Sequence, residues 1–433
     1  MEYTGWMKVI DLLTFTYMTA RALQMFRIFI KAFSIIPVVY FVIYAMYGYP
    51  ILFNICVNGY IYPDYFNAFN LVSYDLLTQI FANCFIILLT HFLTRTQYFK
   101  NYTKAIHDTS FFQNGLFLLF LWIVIAFPIL YVIMTGNLLS FLSYASVAQS
   151  IRSGEISIVY TNVFNLSLVS VICMGIYIIC KRKLNPFEKT NIFILIASVN
   201  YFVGKRYIIY FTAIVLLFSL FVSKKASSKK LVKLSISIFA LLIIYNILYL
   251  LFFKNGEYTS GINFFEQMYI DIGRMDRLKM AIYSILYPEQ LKILEYPMET
   301  IIYNVLFFLP RELWESKPYP YSYYFSYKVM FPSGIPLSYE YIKQNWTTYG
   351  INGMTTGIID EIITNMSWFG YIFFPFLFVK VSRFIDKQKG IAKFIFLFLV
   401  IYATVFCIDP ALFTGMLAIA LLFKYKIEIA KTS

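Results

Sequence analysis

The stretch TNIFILIASVNYFVGKRYIIYFTAIVLLFSLFV, residues 190–222, decides the fold class. It contains two apolar runs, residues 190–203 and 207–222, joined by a Gly-Lys-Arg tripeptide. Two apolar runs joined by a short polar tip predict a pair of membrane-spanning helices, although both runs are short for a full span. Lys205 and Arg206 would then lie at the tip of a helical hairpin.

The composition extends this prediction to the whole chain. Its 433 residues are 60% hydrophobic and only 13% charged, whereas a soluble domain is about half apolar and a quarter charged. We therefore expect an all-α polytopic membrane protein with about ten to twelve transmembrane helices. The net charge of +14 is assigned to short loops and lipid head groups, so no nucleic acid partner is expected. None of the five cysteines forms a CxxC pair, and the sequence implies neither a disulfide framework nor a zinc site.

Lysine and arginine clusters follow alternate apolar runs and set the expected orientation. The positive-inside rule places both termini in the cytoplasm and the mostly polar residues 254–365 outside, together with the Lys205-Arg206 tip. The expected division is a transmembrane bundle over residues 1–253, the large external loop, and C-terminal transmembrane helices over residues 366–433. The segment 7–30 is interpreted either as an amphipathic interfacial helix or as a poor extra span.

Lys205 and Arg206 are adjacent cations on the face of the membrane where cations are normally scarce. An anionic ligand that arrives from the membrane explains them best, and a lipid-linked pyrophosphate is the first candidate.

Two arginines of the large loop add to the cations expected outside. Arg274 and Arg277 are three residues apart, so on a helix their guanidinium groups would share a face and could bind neighbouring phosphates. The alternative is an ion-pair face with Asp271 and Asp276.

Further along the loop, two prolines bracket a short segment that contains Arg311, Trp314 and Lys317. An aromatic-rich stretch begins at Tyr319. Aromatic faces beside polar groups suit the stacking of sugar rings. The alternative is an aromatic belt at the outer membrane interface.

The candidate proton acceptors lie at the end of the loop. Asp360 and Glu361 precede an apolar run, outside, where a carboxylate could accept a proton from a hydroxyl. The alternative is an acidic pair at a helix N-terminus, stabilised by the helix dipole. Both histidines, His91 and His107, are expected on the cytoplasmic side, so a histidine base outside is excluded. The chain contains neither a DxD triplet nor a GxxxxGK loop, which disfavours a metal-dependent nucleotide-sugar site and an NTPase.

Three of these segments resemble elements of the Wzy-type polymerase family, which makes O-antigen and capsular polysaccharide. They are NYFVGKR (residues 200–206), LPRELWESKP (309–318) and TGIIDEIITNMSWFG (356–370). The overall plan, with one dominant loop late in the chain, resembles the family over nearly the full length. Members join lipid-linked oligosaccharide repeat units on the outer face of the bacterial inner (cytoplasmic) membrane, so the resemblance implies a GT-C-like glycosyltransferase of lipopolysaccharide or capsule biosynthesis.

The resemblance also implies a mechanism without metal or cofactor. A glycan on undecaprenyl pyrophosphate is the donor, a hydroxyl of the next lipid-linked repeat unit attacks the anomeric carbon, and the lipid pyrophosphate leaves. Protein cations would stabilise the leaving group. The implied cations are Arg206 with Lys205 first, followed by Arg274, Arg277 and Arg311; the implied bases are Glu361 first, followed by Asp360 and Asp276. A flippase and a chain-length regulator are the implied partner proteins.

Two other classes of membrane protein remain as alternatives. A flippase for lipid-linked oligosaccharides would be expected to have short loops and a cation-rich cavity, and the long outer loop argues against it. Another lipid-sugar-dependent glycosyltransferase, such as a ligase, would be expected to use an external histidine.

Overall fold

The computed structural model describes residues 3–32, 34–60, 67–95, 115–136, 158–181, 183–204, 206–223, 227–253, 264–330, 356–405 and 410–432, with the single positions 141 and 146. Throughout these residues the regular structure is helical and contains no strand, which confirms the all-α class. In chain order, the helices are α1 (Gly5–Ala32), α2 (Ile36–Ile43), a π-helix (Tyr44–Gly48), α3 (Tyr49–Val57), α4 (Asn67–Ser73), α5 (Leu76–Thr94), α6 (Gly115–Met134), α7 (Ile158–Cys180), α8 (Pro186–Val203), α9 (Arg206–Val222), α10 (Ser228–Phe253), α11 (Phe264–Ile272), α12 (Met275–Leu286), α13 (Glu299–Val305), α14 (Tyr321–Met330), α15 (Ile358–Lys387), α16 (Gly390–Val405) and α17 (Pro410–Thr432).

Several of these helices are suited to a membrane. Among the described residues, five are long and apolar enough to cross one: Ile36–Val57, Leu76–Thr94, Gly115–Met134, Asn162–Cys180 and Ile358–Lys387. Three shorter helical segments are also apolar: Ile208–Val222, Gly390–Val405 and Phe413–Phe423. The length and apolar character of these helices are therefore compatible with a polytopic membrane protein. The expected count of about ten to twelve spans stays a prediction.

Contacts divide the chain into two compact units. Unit 1 comprises residues 1–102, 261–387 and 399–422, and unit 2 comprises residues 103–260, 388–398 and 423–433. The predicted division, with residues 254–365 as a large external loop, concerns membrane topology and stays a prediction. Within unit 1, α12, from the middle of that segment, packs against α5 and α15.

In unit 1, α1 runs antiparallel to α2, the π-helix and α3. The two sides of this hairpin meet at successive levels: the Tyr40 hydroxyl donates to the Met18 carbonyl at 2.5 Å, the ring centroids of Phe15 and Tyr44 lie 6.2 Å apart, and the Tyr60 hydroxyl donates to Met7 Sδ at 3.9 Å. Helix α1 is not among the helices long and apolar enough to cross a membrane, so both interpretations of residues 7–30 stay open.

The hairpin also fixes where the N-terminus lies. The Tyr3 ring packs edge-on against Tyr60, with centroids 5.1 Å apart. At the other end, the Ser34 hydroxyl donates to the Asp386 carboxylate at 2.6 Å. Tyr3 and Ser34 thus lie at opposite ends of the hairpin in unit 1. The predicted cytoplasmic position of the N-terminus stays a prediction.

Helix α15 consists of two helical pieces joined at a kink. Ser367 has φ 53° and ψ −138°, a backbone conformation outside the helical region. The second piece, residues 368–387, belongs to a helix long and apolar enough to cross a membrane. The first piece, residues 358–366, carries Asp360 and Glu361.

Unit 2 contains α6 to α10, and α7 packs against both α6 and α9. The turn from α7 into α8 is closed by a capping box. The Asn185 side chain accepts the Glu188 N–H at 2.7 Å, and the Glu188 carboxylate accepts the Asn185 N–H at 2.9 Å. Lys181 binds the same carboxylate at 2.8 Å. These contacts satisfy donors that a helix start leaves open.

Candidate functional site

The candidate site begins at a break between two helices of unit 1, which we call the break site. Helix α11 ends at Ile272 and α12 begins at Met275. A Cβ atom on Gly273 would lie 2.5 Å from the Tyr269 carbonyl oxygen and 2.9 Å from Cγ of Pro50, so only glycine fits there. The next residue, Arg274, donates its backbone N–H to the Met46 carbonyl of the π-helix at 2.9 Å. Two irregular stretches of backbone thus pack against each other inside the unit, and a backbone N–H of one is paired with a carbonyl of the other.

Arg274 and Arg277 both contribute to the break site, and their side chains are only 1% and 2% exposed. Each donates a guanidinium N–H to the Gly273 carbonyl, Arg274 at 2.8 Å and Arg277 at 2.6 Å. Arg274 also donates to the Val405 carbonyl at 2.7 Å. These carbonyls lie at the C-terminal ends of α11 and α16, where a cation is favoured by the helix dipole. The two arginines are brought together as expected, but their described contacts are to helix ends.

Asp360 lies in the first turn of α15, buried near both arginines. Its Oδ1 atom accepts the Gly357 N–H at 2.9 Å, as the helix N-terminus interpretation predicts. Its Oδ2 atom is buried and has no hydrogen-bond partner among the described residues. The carboxylate lies within electrostatic range of Arg274 and Arg277. The break site therefore combines two cations with a carboxylate oxygen that is available for a further partner.

Glu361 makes contacts with α13. Its Oε1 atom accepts hydrogen bonds from the Thr300 hydroxyl and the Asn304 amide, both at 2.8 Å. The Asn365 side chain donates to the same Thr300 hydroxyl at 2.8 Å. Glu361 is thus 4% exposed and held by two donors on one oxygen. The two sequence-adjacent carboxylates are held by different elements, Asp360 by the start of α15 and Glu361 by α13.

A second group of buried charges, the buried triad, consists of Asp11, Asp276 and Lys279. All three are at most 1% exposed. Asp11 accepts hydrogen bonds from Tyr3, Gln79 and Asn83, and Asp276 accepts one from Tyr269; these are the described contacts of the two carboxylates. The ammonium of Lys279 lies 3.9 Å from the centre of the Tyr60 ring and has no hydrogen-bond partner among the described residues.

Burial and mutual attraction act in opposite directions on the ionisation of the triad. Burial raises the pKa of the Asp276 carboxyl, and the nearby Lys279 opposes that rise. Burial lowers the pKa of Lys279, and Asp11 and Asp276 oppose that fall. Sequence reasoning named only Asp276 of these residues. The spacing of Asp276 and Lys279 on α12 was a visible signal, whereas Asp11 is joined to them only by the fold.

The residues between the two prolines form a compact segment closed by its own cations. Arg311 stacks on Tyr319, with 4.1 Å between the guanidinium carbon and the ring centre, and donates to the Lys317 carbonyl at 2.6 Å. Lys317 donates to the carbonyls of Phe307 and Leu309, both at 2.6 Å. Burial and the nearby Arg311 lower the pKa of Lys317.

Trp314 belongs to the same segment and donates its ring N–H to the Ser316 hydroxyl at 3.1 Å. The contacts of Arg311 and Lys317 connect the two ends of the segment. Binding of sugar or phosphate by its side chains stays a prediction.

The structure gives little information on Lys205 and Arg206, the two cations that the sequence ranked first for binding the leaving group. Lys205 is outside the described residues, and Arg206 is the first residue of α9 in unit 2, without a described side chain. Their role stays a prediction. No protein-family model, curated protein or solved structure matches this chain.

Proposed function

We propose that this chain is a polymerase of surface polysaccharide in the bacterial inner membrane. It joins undecaprenyl-pyrophosphate-linked oligosaccharide repeat units of an O-antigen or capsule by metal-independent glycosyl transfer. The observation that supports this proposal is the number of charges buried in unit 1: Asp11, Arg274, Asp276, Arg277, Lys279, Glu299, Lys328, Asp360, Glu361 and Asp386. Taking an ion out of water costs several kcal/mol, and buried ionisable groups in membrane proteins commonly mark functional sites.

In the proposed reaction, the acceptor hydroxyl loses its proton to a carboxylate while its oxygen forms a bond to the anomeric carbon. The bond from that carbon to the phosphate oxygen breaks, and the lipid pyrophosphate leaves with the electron pair. Glu361 is the preferred proton acceptor because two donors fix its position, and orientation is a large part of catalysis by a base. Asp360, with an oxygen available, is the second choice.

The cations have two different parts in this proposal. Arg206 and Lys205 would stabilise the charge that develops on the leaving pyrophosphate. Arg274 and Arg277 hold helix ends of unit 1, so they would fix the backbone there and supply positive potential to Asp360.

We further propose that the large loop faces outside and that the C-terminus is cytoplasmic. Because Tyr3 and Tyr60 share one end of unit 1, the N-terminus would then lie outside as well.

A deletion strain tests the polymerase reaction directly. We expect its surface glycan to be reduced to a single repeat unit on the lipid anchor, seen as loss of the ladder on a glycan-stained gel. Complete loss of surface glycan would support the flippase instead, and an unchanged ladder would contradict both functions.

Complementation of that strain with single variants assigns the base. Glu361→Gln keeps an oxygen for both described donors but loses basicity, so we expect stable protein and a fall in polymer of about 10²–10⁴-fold, the usual contribution of a general base. Glu312→Gln, at an exposed carboxylate of the same loop, is the matched control and should make normal polymer. If Glu361→Gln makes polymer while Asp360→Asn does not, Asp360 is the base.

A further inference from the structure

Helix α13 is amphipathic in the reverse of the usual sense, with its polar side turned into the protein. Glu299 and Thr300 are 4% and 0% exposed. Glu299 accepts a hydrogen bond from the Tyr324 hydroxyl, and Asn304 donates to Glu361 at 2.8 Å. These polar side chains of α13 therefore form hydrogen bonds with α14 and α15.

The outward side of α13 is apolar. Ile302 and Val305 are three residues apart on one face of α13 and are 38% and 64% exposed. Met298, which caps the start of the helix, is 37% exposed. Phe308, just beyond the helix, is 65% exposed. Exposed apolar surface of this kind costs roughly 25 cal/mol per Å² in water, and contiguous patches mark sites of contact with another apolar phase or partner.

This apolar side adjoins surface of a candidate membrane span. The Met298 N–H donates to the Asn365 carbonyl at 3.1 Å, just before the kink in α15. Beyond the kink, Phe369, Ile372 and Phe373 are 51–57% exposed. These residues belong to a helix long and apolar enough to cross a bilayer.

Charge gives the limits of the apolar stretch. The run TIIYNVLFFLP, residues 300–310, contains no ionisable acidic or basic residue. Exposed glutamates flank it on both sides, Glu295 and Glu312. A stretch of this length is too short to cross a membrane and suits a re-entrant or interfacial segment.

We propose that residues 298–308, which we call the α13 lip, lie in the acyl-chain layer of the bilayer. The partner is membrane lipid hydrocarbon, which contacts Ile302, Val305 and Phe308, while Glu295 and Glu312 stay in water. The lip thus forms part of the lipid-facing surface of unit 1, although it belongs to the loop expected to lie wholly outside the membrane.

Spin labels test this placement in liposomes. In a variant whose five native cysteines are replaced, single cysteines at Val305 and Phe308 are labelled and compared with Glu295→Cys and Glu312→Cys; Phe373→Cys is the lipid-facing reference. We expect the ratio of relaxation by oxygen to relaxation by a water-soluble nickel chelate to be high at positions 305, 308 and 373, and low at 295 and 312. A low ratio at both 305 and 308, or protection from both reagents, would overturn the proposal.

Photolabelling of the wild-type protein gives a second measurement that needs no substitution. Liposomes contain a phospholipid with a diazirine on its acyl chain, and adducts are mapped by mass spectrometry. We expect adducts in the peptide that covers residues 300–310 as well as in α15. Adducts in α15 alone would contradict the proposal. Either outcome is independent of whether the chain makes polymer.

Discussion

Lys279 is a fully buried ammonium whose described partners are a tyrosine ring and two carboxylates in electrostatic range. Neither Asp11 nor Asp276 is exposed by more than 1%, so neither can rely on water for its charge. Removing one partner of a buried ionic group is costly because it leaves an uncompensated charge.

We therefore predict that Lys279→Met destabilises the protein by about 3–5 kcal/mol. The measurement is thermal unfolding of protein purified in a mild detergent. Lys292→Met is the matched control, because Lys292 is exposed and pairs with exposed Glu295 at 3.6 Å; exposed pairs contribute about 0–1 kcal/mol. Equal unfolding temperatures for the two variants would contradict the role of Lys279 as a countercharge. Adding Asp276→Asn to Lys279→Met should restore part of the loss.

At the residue level, the sequence predicted the types of side chain in the site better than their partners. The helix-start position of Asp360 followed from its place before an apolar run. The contact of Arg274 with the Val405 carbonyl did not, because that acceptor comes from the end of a helix distant in sequence. The same holds for Asp11, whose place beside Lys279 depends on the packing of α1 against α5.

At the level of elements, apolar runs predicted most of the helices. They did not predict where the backbone is irregular, at the break between α11 and α12 and at the kink in α15. The expected loop over residues 254–365 contains α11 to α14 and the first piece of α15. Of these, α12 contains buried charges. Hydropathy does not identify a helix with so many polar residues as part of the core of a membrane protein. The kink at Ser367 lies inside a run with a continuous helical pattern.

The break between α11 and α12 leads to a prediction about Gly273. A Cβ atom there would meet the Tyr269 carbonyl and Pro50, and backbone cannot move aside as a flexible side chain does. We expect Gly273→Ala to destabilise unit 1 by about 1–3 kcal/mol, the usual cost of overpacking, and to lower the thermal unfolding temperature.

The control for Gly273→Ala is Gly415→Ala in α17, where nothing lies within 4 Å of the new atom. Alanine favours a helix interior by roughly 0.5–1 kcal/mol over glycine, so this variant should be neutral or stabilised. A Gly273→Ala protein as stable as Gly415→Ala would show that the break tolerates a side chain.

For the molecule as a whole, the positive-inside rule predicts a cytoplasmic N-terminus, whereas the contact of Tyr3 with Tyr60 supports the proposal above that the N-terminus lies outside. Lys8 lies early in α1, while Arg21, Arg27 and Lys31 lie towards its other end. The cations of α1 are therefore concentrated near Ser34 and Asp386, which agrees with the rule once α1 is treated as a crossing helix. These charges interrupt the apolar pattern of α1, so its hydropathy does not identify it as a span.

This arrangement predicts which positions share a face of the membrane. Gly5→Cys and Gly59→Cys, both in open surroundings, should react with a membrane-impermeant maleimide from one side. Lys31→Cys and Lys387→Cys, both exposed, should react from the other side, because Ser34 binds Asp386 at that end. The measurement is labelling of intact cells and of inside-out vesicles, in a background without native cysteines. Labelling of Gly5→Cys and Gly59→Cys from opposite sides would show that α1 does not cross the bilayer, and the N-terminus would return to the cytoplasm.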